Sequence, residues 1–292
     1  MPELFHLDIP IFGSDIKVLK SEELALLTDN ELDDIFNAFN ELCRLDLVDL
    51  NNSFMIPGQI IIGNEGFVSA TIEALKNFFI RIGRILYNLF DVYLIRNLRY
   101  LRKIKQLKAS TLLRIGSVDK DTFEKKKIVG YRYFDYRALI GNAENLNNRI
   151  NGISDINTYV PGSMDEALKG IGYEFQGNTL MKNNETYLKR SGTMLSHYWT
   201  PDRVTEFTTR VIDLLENTRG VKKLMGLTND VIRKATYLLK DMDADIKNNN
   251  AIENLKQQKT VMQELHKVLE VNYTINGDLA NQFIYMVNSL GL

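Results

Sequence analysis

The sequence predicts a mainly α protein, a helical bundle with long amphipathic helices and a minor extended or β element near residues 54–62 and 127–137. Three observations carry that expectation. Apolar residues recur at helical spacing through most of the chain. Two strong helix starts are written in the sequence, Thr28-Asp29-Asn30-Glu31 and Thr200-Pro201-Asp202. Strand-like composition is confined to short stretches. With 292 residues, 45% hydrophobic and 25% charged, the chain can bury one large core or two smaller ones. The reading divides it into residues 1–160, an acidic N-terminal helix followed by a long basic amphipathic helix and an irregular segment, and residues 161–292, a C-terminal helical bundle.

The first sixty residues are acidic. In Thr28-x-x-Glu31 the hydroxyl and the carboxylate each satisfy an end-of-helix N–H, and Leu32, Ile35, Phe36, Phe39, Leu42, Cys43 and Leu47 then follow at helical spacing. Cys43 falls on the apolar side, where a buried structural thiol is expected. The run Ser53 to Gly63, punctuated by Pro57-Gly58, reads as a turn and a brief extended segment. A helix is expected from about Glu65 to Lys108. Leu75, Phe79, Ile82, Leu86, Leu89 and Tyr93 step along it by fours and threes, the spacing of a packing seam, and Phe78, Ile85, Phe90 and Leu94 widen the stripe. Arg96, Arg99, Arg102, Lys103, Lys105 and Lys108 crowd its second half, which suits the negative end of the helix dipole. Opposite charge on these two regions invites pairing within the chain or between copies.

Residues 127–137 have the aromatic and β-branched content of a strand, and the stretch from Gly141 to Asn148 reads as either loop or weak helix. Tyr159-Val-Pro-Gly-Ser163 is the clearest boundary signal. Beyond it helices are expected almost throughout: a short one from Ser163 to Lys169, one capped by Thr200, one capped by Thr228 and ended by Asn248-Asn249-Asn250, one from Ile252 to Leu269, and a last one from Ala280 to Leu290. Gly170, Gly172 and Gly177 loosen the stretch between the first two.

Composition and motifs exclude several chemistries. One cysteine rules out a disulfide framework and a cysteine-based zinc site, and His6, His197 and His266 lie far apart without helical pairing. The glycines around Gly170, Gly172 and Gly220 form no phosphate-loop pattern. Ser196-His197 has no nucleophile-elbow context, so His197, Tyr198 and Trp199 read as an aromatic plug before the Thr200 cap. Asp241, Asp243 and Asp245 lack the glycine and closing glutamate of a calcium loop. A net charge of −1 gives no global field toward nucleic acid, although Lys125, Lys126, Lys127 and the rings of Tyr131, Tyr133, Phe134 and Tyr136 mix charge with stacking. The aromatic helix also fits a membrane surface, but its seam is what protein packing requires. No apolar stretch has the length of a membrane span, and the N-terminus has no basic leader region.

The segment from Ile60 to Phe90, with its Glu65-Gly66 step and its Ala74-x-Lys76-x-Phe78-Phe79 helix, resembles structural proteins of large tailed bacteriophages, internal head and virion components. The resemblance covers thirty to ninety residues. It implies many copies per particle, contact with other capsid proteins or packaged DNA, and no catalytic residues. The expected function is therefore a non-enzymatic virion structural or assembly protein, without cofactor or metal, residing in the virion or the host cytoplasm. It would dock capsid-type partners, itself or DNA through the Leu75–Tyr93 seam and its basic extension. The alternative is a helical protein that binds or acts on membranes.

Overall fold

The computed structural model describes residues 18–54, 65–117, 132–133, 136–156, 159–176, 179–182, 188–189, 199–244 and 249–289. Helices dominate: α1 (Ser21–Ala25), α2 (Asp29–Phe54), α3 (Glu65–Ser117), α4 (Tyr136–Gly152), α5 (Ser163–Gly170), α6 (Pro201–Glu216), α7 (Arg219–Ala244) and α8 (Asn249–Ser289). The β component is two small antiparallel ladders. β1 (Arg132–Tyr133) pairs with β4 (Leu188–Lys189), and β2 (Tyr173–Gln176) pairs with β3 (Thr179–Lys182) in a register that sets Tyr173 opposite Lys182 and Gln176 opposite Thr179. The fold is mainly α with a minor β element.

The local signals act as their chemistry requires. Thr28 N–H donates to Glu31 Oε2 at 2.7 Å, and Glu31 N–H returns to Thr28 Oγ1 at 3.3 Å, so α2 opens on a closed capping box. Thr200 Oγ1 accepts from Arg203 N–H at 3.3 Å with Pro201 in the first turn of α6. Gly162 precedes α5 at φ +93°, a conformation costly for any residue with a Cβ.

Several expectations need correcting. Ser53 and Phe54 belong to α2, so the extended segment does not begin at 54; residues 55–62 lie outside the described residues. Of 127–137, Arg132 and Tyr133 are strand and Tyr136 and Arg137 already open α4. α3 continues past Lys108 to Ser117. Thr228 caps nothing: it lies inside α7, and its hydroxyl donates to Leu224 O at 2.9 Å. The two helices expected after residue 250 are one, α8, unbroken through Asn272, Asn276 and Gly277. The β2–β3 hairpin interrupts the block expected to be nearly all helical. It follows α5 directly, through Gly172 at φ +84°.

One hydrophobic cluster runs from Leu24 through α2, α3, α4 and α5 to α6, α7 and α8, so both sequence blocks contribute to it. α3 is its spine and packs on α1, α2, α6, α7 and α8. Burying each large side chain of α3 contributes roughly 1.5–3 kcal/mol. Trp199 is fully buried, stacked on Tyr136 (centroids 5.2 Å apart) and tilted against Phe207 (5.4 Å). It seats α6 against α4, as the plug expectation had it for this residue; His197 and Tyr198 lie outside the described residues.

Candidate functional site

The structure separates the two halves of α3. All six seam residues are inside: Leu75 is 6% exposed, Phe79 1%, Ile82, Leu86 and Leu89 0%, and Tyr93 3%. Phe90 is buried beside them and Phe78 packs half-buried on the same core. The seam therefore faces the chain's own helices, and the aromatic rings that lipid docking would use are packed in the protein. No described helix is long and apolar enough to cross a membrane.

The basic residues divide into those the fold engages and those it leaves at the surface. Arg96 is buried and ion-paired with Asp33 of α2, Nε to Oδ1 at 2.8 Å. Arg99 pairs with Asp29 at 3.1 Å and donates to Ala25 O at 3.0 Å, covering a carbonyl at the end of α1. Lys105 pairs with Glu216 at the end of α6. Arg102 and Lys103 are exposed and Lys108 is half-buried, and none of these three has an ion-pair partner among the described residues. The acidic helix and the basic helix thus neutralise each other within one chain at Arg96 and Arg99, and beyond them Lys105 is matched by α6 while Arg102, Lys103 and Lys108 are left uncompensated among the described residues. On the other side, Glu22, Glu23, Asp34 and Glu41 line the outer face of α1 and α2.

α2 is held by a row of polar contacts that the sequence reading missed. Asp33 accepts from Arg96 and from the Tyr273 hydroxyl of α8. Phe36 stacks on the Tyr273 ring at 3.5 Å. Asn40 Oδ1 lies 2.6 Å from His266 Nε2, and since an amide oxygen only accepts, Nε2 carries the proton. Arg44 reaches Glu270 at 2.5 Å. The guanidinium of Arg96 lies over the rings of Tyr273 (4.0 Å) and Tyr100 (5.0 Å). A Cβ on Gly277 would stand 3.2–3.5 Å from its Nη1, Nη2 and Cζ. Glycine there makes the slot. The signal was present in sequence as His266, Glu270, Tyr273 and Gly277, four positions at steps of four, three and four on one face of α8.

Burial shifts the titration of this row. His266 is pushed down to about 3 by burial and by the nearby Arg44 and Lys267 charges, so it is neutral. Burial pushes Glu270 up, against the pull of Arg44. On α3, burial also raises Asp91 to about 6.

Elsewhere the surface offers a shallow polar groove of about 450 Å³ between α4 and α6, lined by Asn147, Asn148, Asp213 and Asn217 and bridged by the Arg210–Glu144 ion pair. Among the described residues no group of three or more His, Cys, Asp or Glu side chains could hold a metal ion. Cys43 is buried on α2. No family model, no curated protein and no solved structure matches the chain.

Proposed function

We propose that the chain is a non-enzymatic assembly protein of the kind that builds virions, and that it docks acidic partner surfaces, including those of its own copies, through the distal half of α3. The observation that carries this reading is the division of charge along that helix. Arg96 and Arg99 are matched by Asp33 and Asp29 of the same chain and Lys105 by Glu216, whereas Arg102, Lys103 and Lys108 have no ion pair among the described residues, while the outer face of α1 and α2 is acidic. Complementary patches of this kind steer copies together and weaken with salt. The virion assignment draws on the resemblance of residues 60–90 to tailed-phage structural proteins. Packaged DNA is a second polyanion the same cations could meet.

The test is the double charge reversal Arg102→Glu with Lys103→Glu, followed by light scattering across protein and salt concentration. The wild type should grow in mass with concentration and shrink with salt, and the variant should stay monomeric while melting normally. Equal masses for the two proteins, or a wild type that is monomeric throughout, would overturn the reading.

A further inference from the structure

The contact between the α1–α2 arm and the body has an unusual division of labour. Its apolar side is fully committed: Leu24, Leu32, Phe36, Cys43 and Leu47 are all buried, so an arm lifted off into water exposes a continuous apolar face. Its register is set by charged and polar pairs: Asp29 with Arg99, Asp33 with Arg96 and Tyr273, Asn40 with His266, and Arg44 with Glu270. The largely buried pairs, Asn40–His266 and Arg44–Glu270, and the buried Arg96 favour one partner and one register, because a mismatch strands a buried polar group without its counterpart. The slot for Arg96, walled by Tyr273, Tyr100 and the bare backbone of Gly277, is specific to this body. A surface that offers Arg96, His266, Glu270 and Tyr273 at this spacing exists on the chain itself and, identically, on every other copy. The arm is joined to α3 by ten residues, 55–64, which include Pro57, Gly58 and Gly63 and which, fully extended, could span up to about 35 Å.

We infer that the α1–α2 arm is an exchangeable clasp: two copies take each other's arms in the contacts seen within one chain, so the second copy's body is the partner this face fits. The inference rests on the assembly reading above: the distal half of α3 brings copies together, and arm exchange then locks them. Opening alone is unfavourable because the apolar face must be covered again, and a neighbouring body covers it with every ion pair restored. Exchange thus conserves the interactions and changes only which chain supplies them.

Charge-swapped full-length chains test this directly. Asp33→Arg sets its arm against its own Arg96, and Arg96→Asp sets its body against its own Asp33, so each variant alone repels its own arm. Mixed, each arm finds an opposite charge on the other chain. Two natural probes report separately: Cys43, the chain's one cysteine, for the arm, and Trp199, its one tryptophan, for the body. Each variant alone should label at Cys43 with a thiol reagent at least about tenfold faster than wild type, with Trp199 emission unchanged. The one-to-one mixture should return to within about twofold of the wild-type rate and scatter as a pair of chains. A mixture that labels at the mean of the two separate rates and stays monomeric would overturn exchange. If either variant loses the native Trp199 emission, the same mixing is done with Arg44→Glu and Glu270→Arg, and absence of rescue there overturns it equally. Wild-type oligomers that dissociate with salt, together with no rescue on mixing, would sink the clasp and leave the assembly reading standing. A wild-type monomer with no rescue would sink both.

Discussion

Two contacts hold helices onto this bundle by opposite means. Around Trp199 the rings of Tyr136 and Phe207 pack directly on one another, and the ion pairs that also cross from α4 to α6, Arg210–Glu144 and Arg137–Glu206, lie exposed at the surface, so the buried part of this contact is joined by area and shape. Along α2 the apolar stripe is stitched by Asp33–Arg96, Asn40–His266 and Arg44–Glu270. Apolar burial is non-directional, so the Trp199 contact supplies stability and tolerates small slips. The α2 contact supplies less net stability per residue, since desolvating a charge offsets much of what pairing returns, but it accepts one register.

The sharpest way to break that contrast is to remove area on the apolar side. Phe207→Ala should cost about 3–5 kcal/mol in denaturant unfolding, as large-to-small changes at fully buried aromatics do, and a loss under about 1 kcal/mol would mean that this cluster is not the anchor described.

Acid should act on the polar side. His266 binds its proton near pH 3 when folded and near 6.5 when unfolded. Below 6.5 the unfolded chain therefore holds more protons, and the stability that neutral His266 contributes is intact above 6.5 and lost as pH falls toward 3. Between pH 6.5 and 5 this removes about 2 kcal/mol. Asp91, raised from 3.8 to about 6, works the other way: its contribution is present below 3.8 and lost as pH rises through 6. Glu270, also raised, has the same sign. His266→Gln keeps a donor for Asn40 and should flatten the acid slope relative to wild type. Identical slopes in the two proteins would show that His266 does not titrate on unfolding.

The smallest effect compares two helical glycines. Alanine is the better helix former by about 1 kcal/mol. A methyl group on Gly226 of α7 would meet nothing within 4 Å, so Gly226→Ala should stabilise by about 0.5–1 kcal/mol. Gly277→Ala should fail to gain and should lose stability, because the new methyl presses on Arg96. Equal melting shifts for the two would remove the argument for the slot.

The same two regions differ in how far the sequence could be read. Thr28 with Glu31 and Thr200 with Pro201 were legible because cap chemistry is complete within four residues. The acidic and basic helices could be expected to pair because charge attracts whatever the topology. Three features were opaque for tertiary reasons. α8 looked broken because Asn272, Asn276 and Gly277 are poor helix formers, and they are there for partners far away: Tyr93 donates to Asn272 at 3.2 Å and accepts from Asn276 at 2.6 Å, and Gly277 admits Arg96. Thr228 resembled a cap because its hydroxyl can bond backbone in either setting. The Leu75–Tyr93 seam was visible as a seam, but its spacing could not say whether the covering helices belong to this chain or another. The fold answers with α2, α6, α7 and α8 of the same chain.

The length of α3 has a hydrodynamic consequence. At 1.5 Å per residue its 53 residues reach about 80 Å, whereas a compact sphere of 292 residues, with a radius of gyration near 19 Å, is only about 50 Å across. A single copy must therefore tumble and elute as though it were heavier than it is. Column volumes would then overstate the mass of a single chain, and sedimentation, slowed by friction, would understate it.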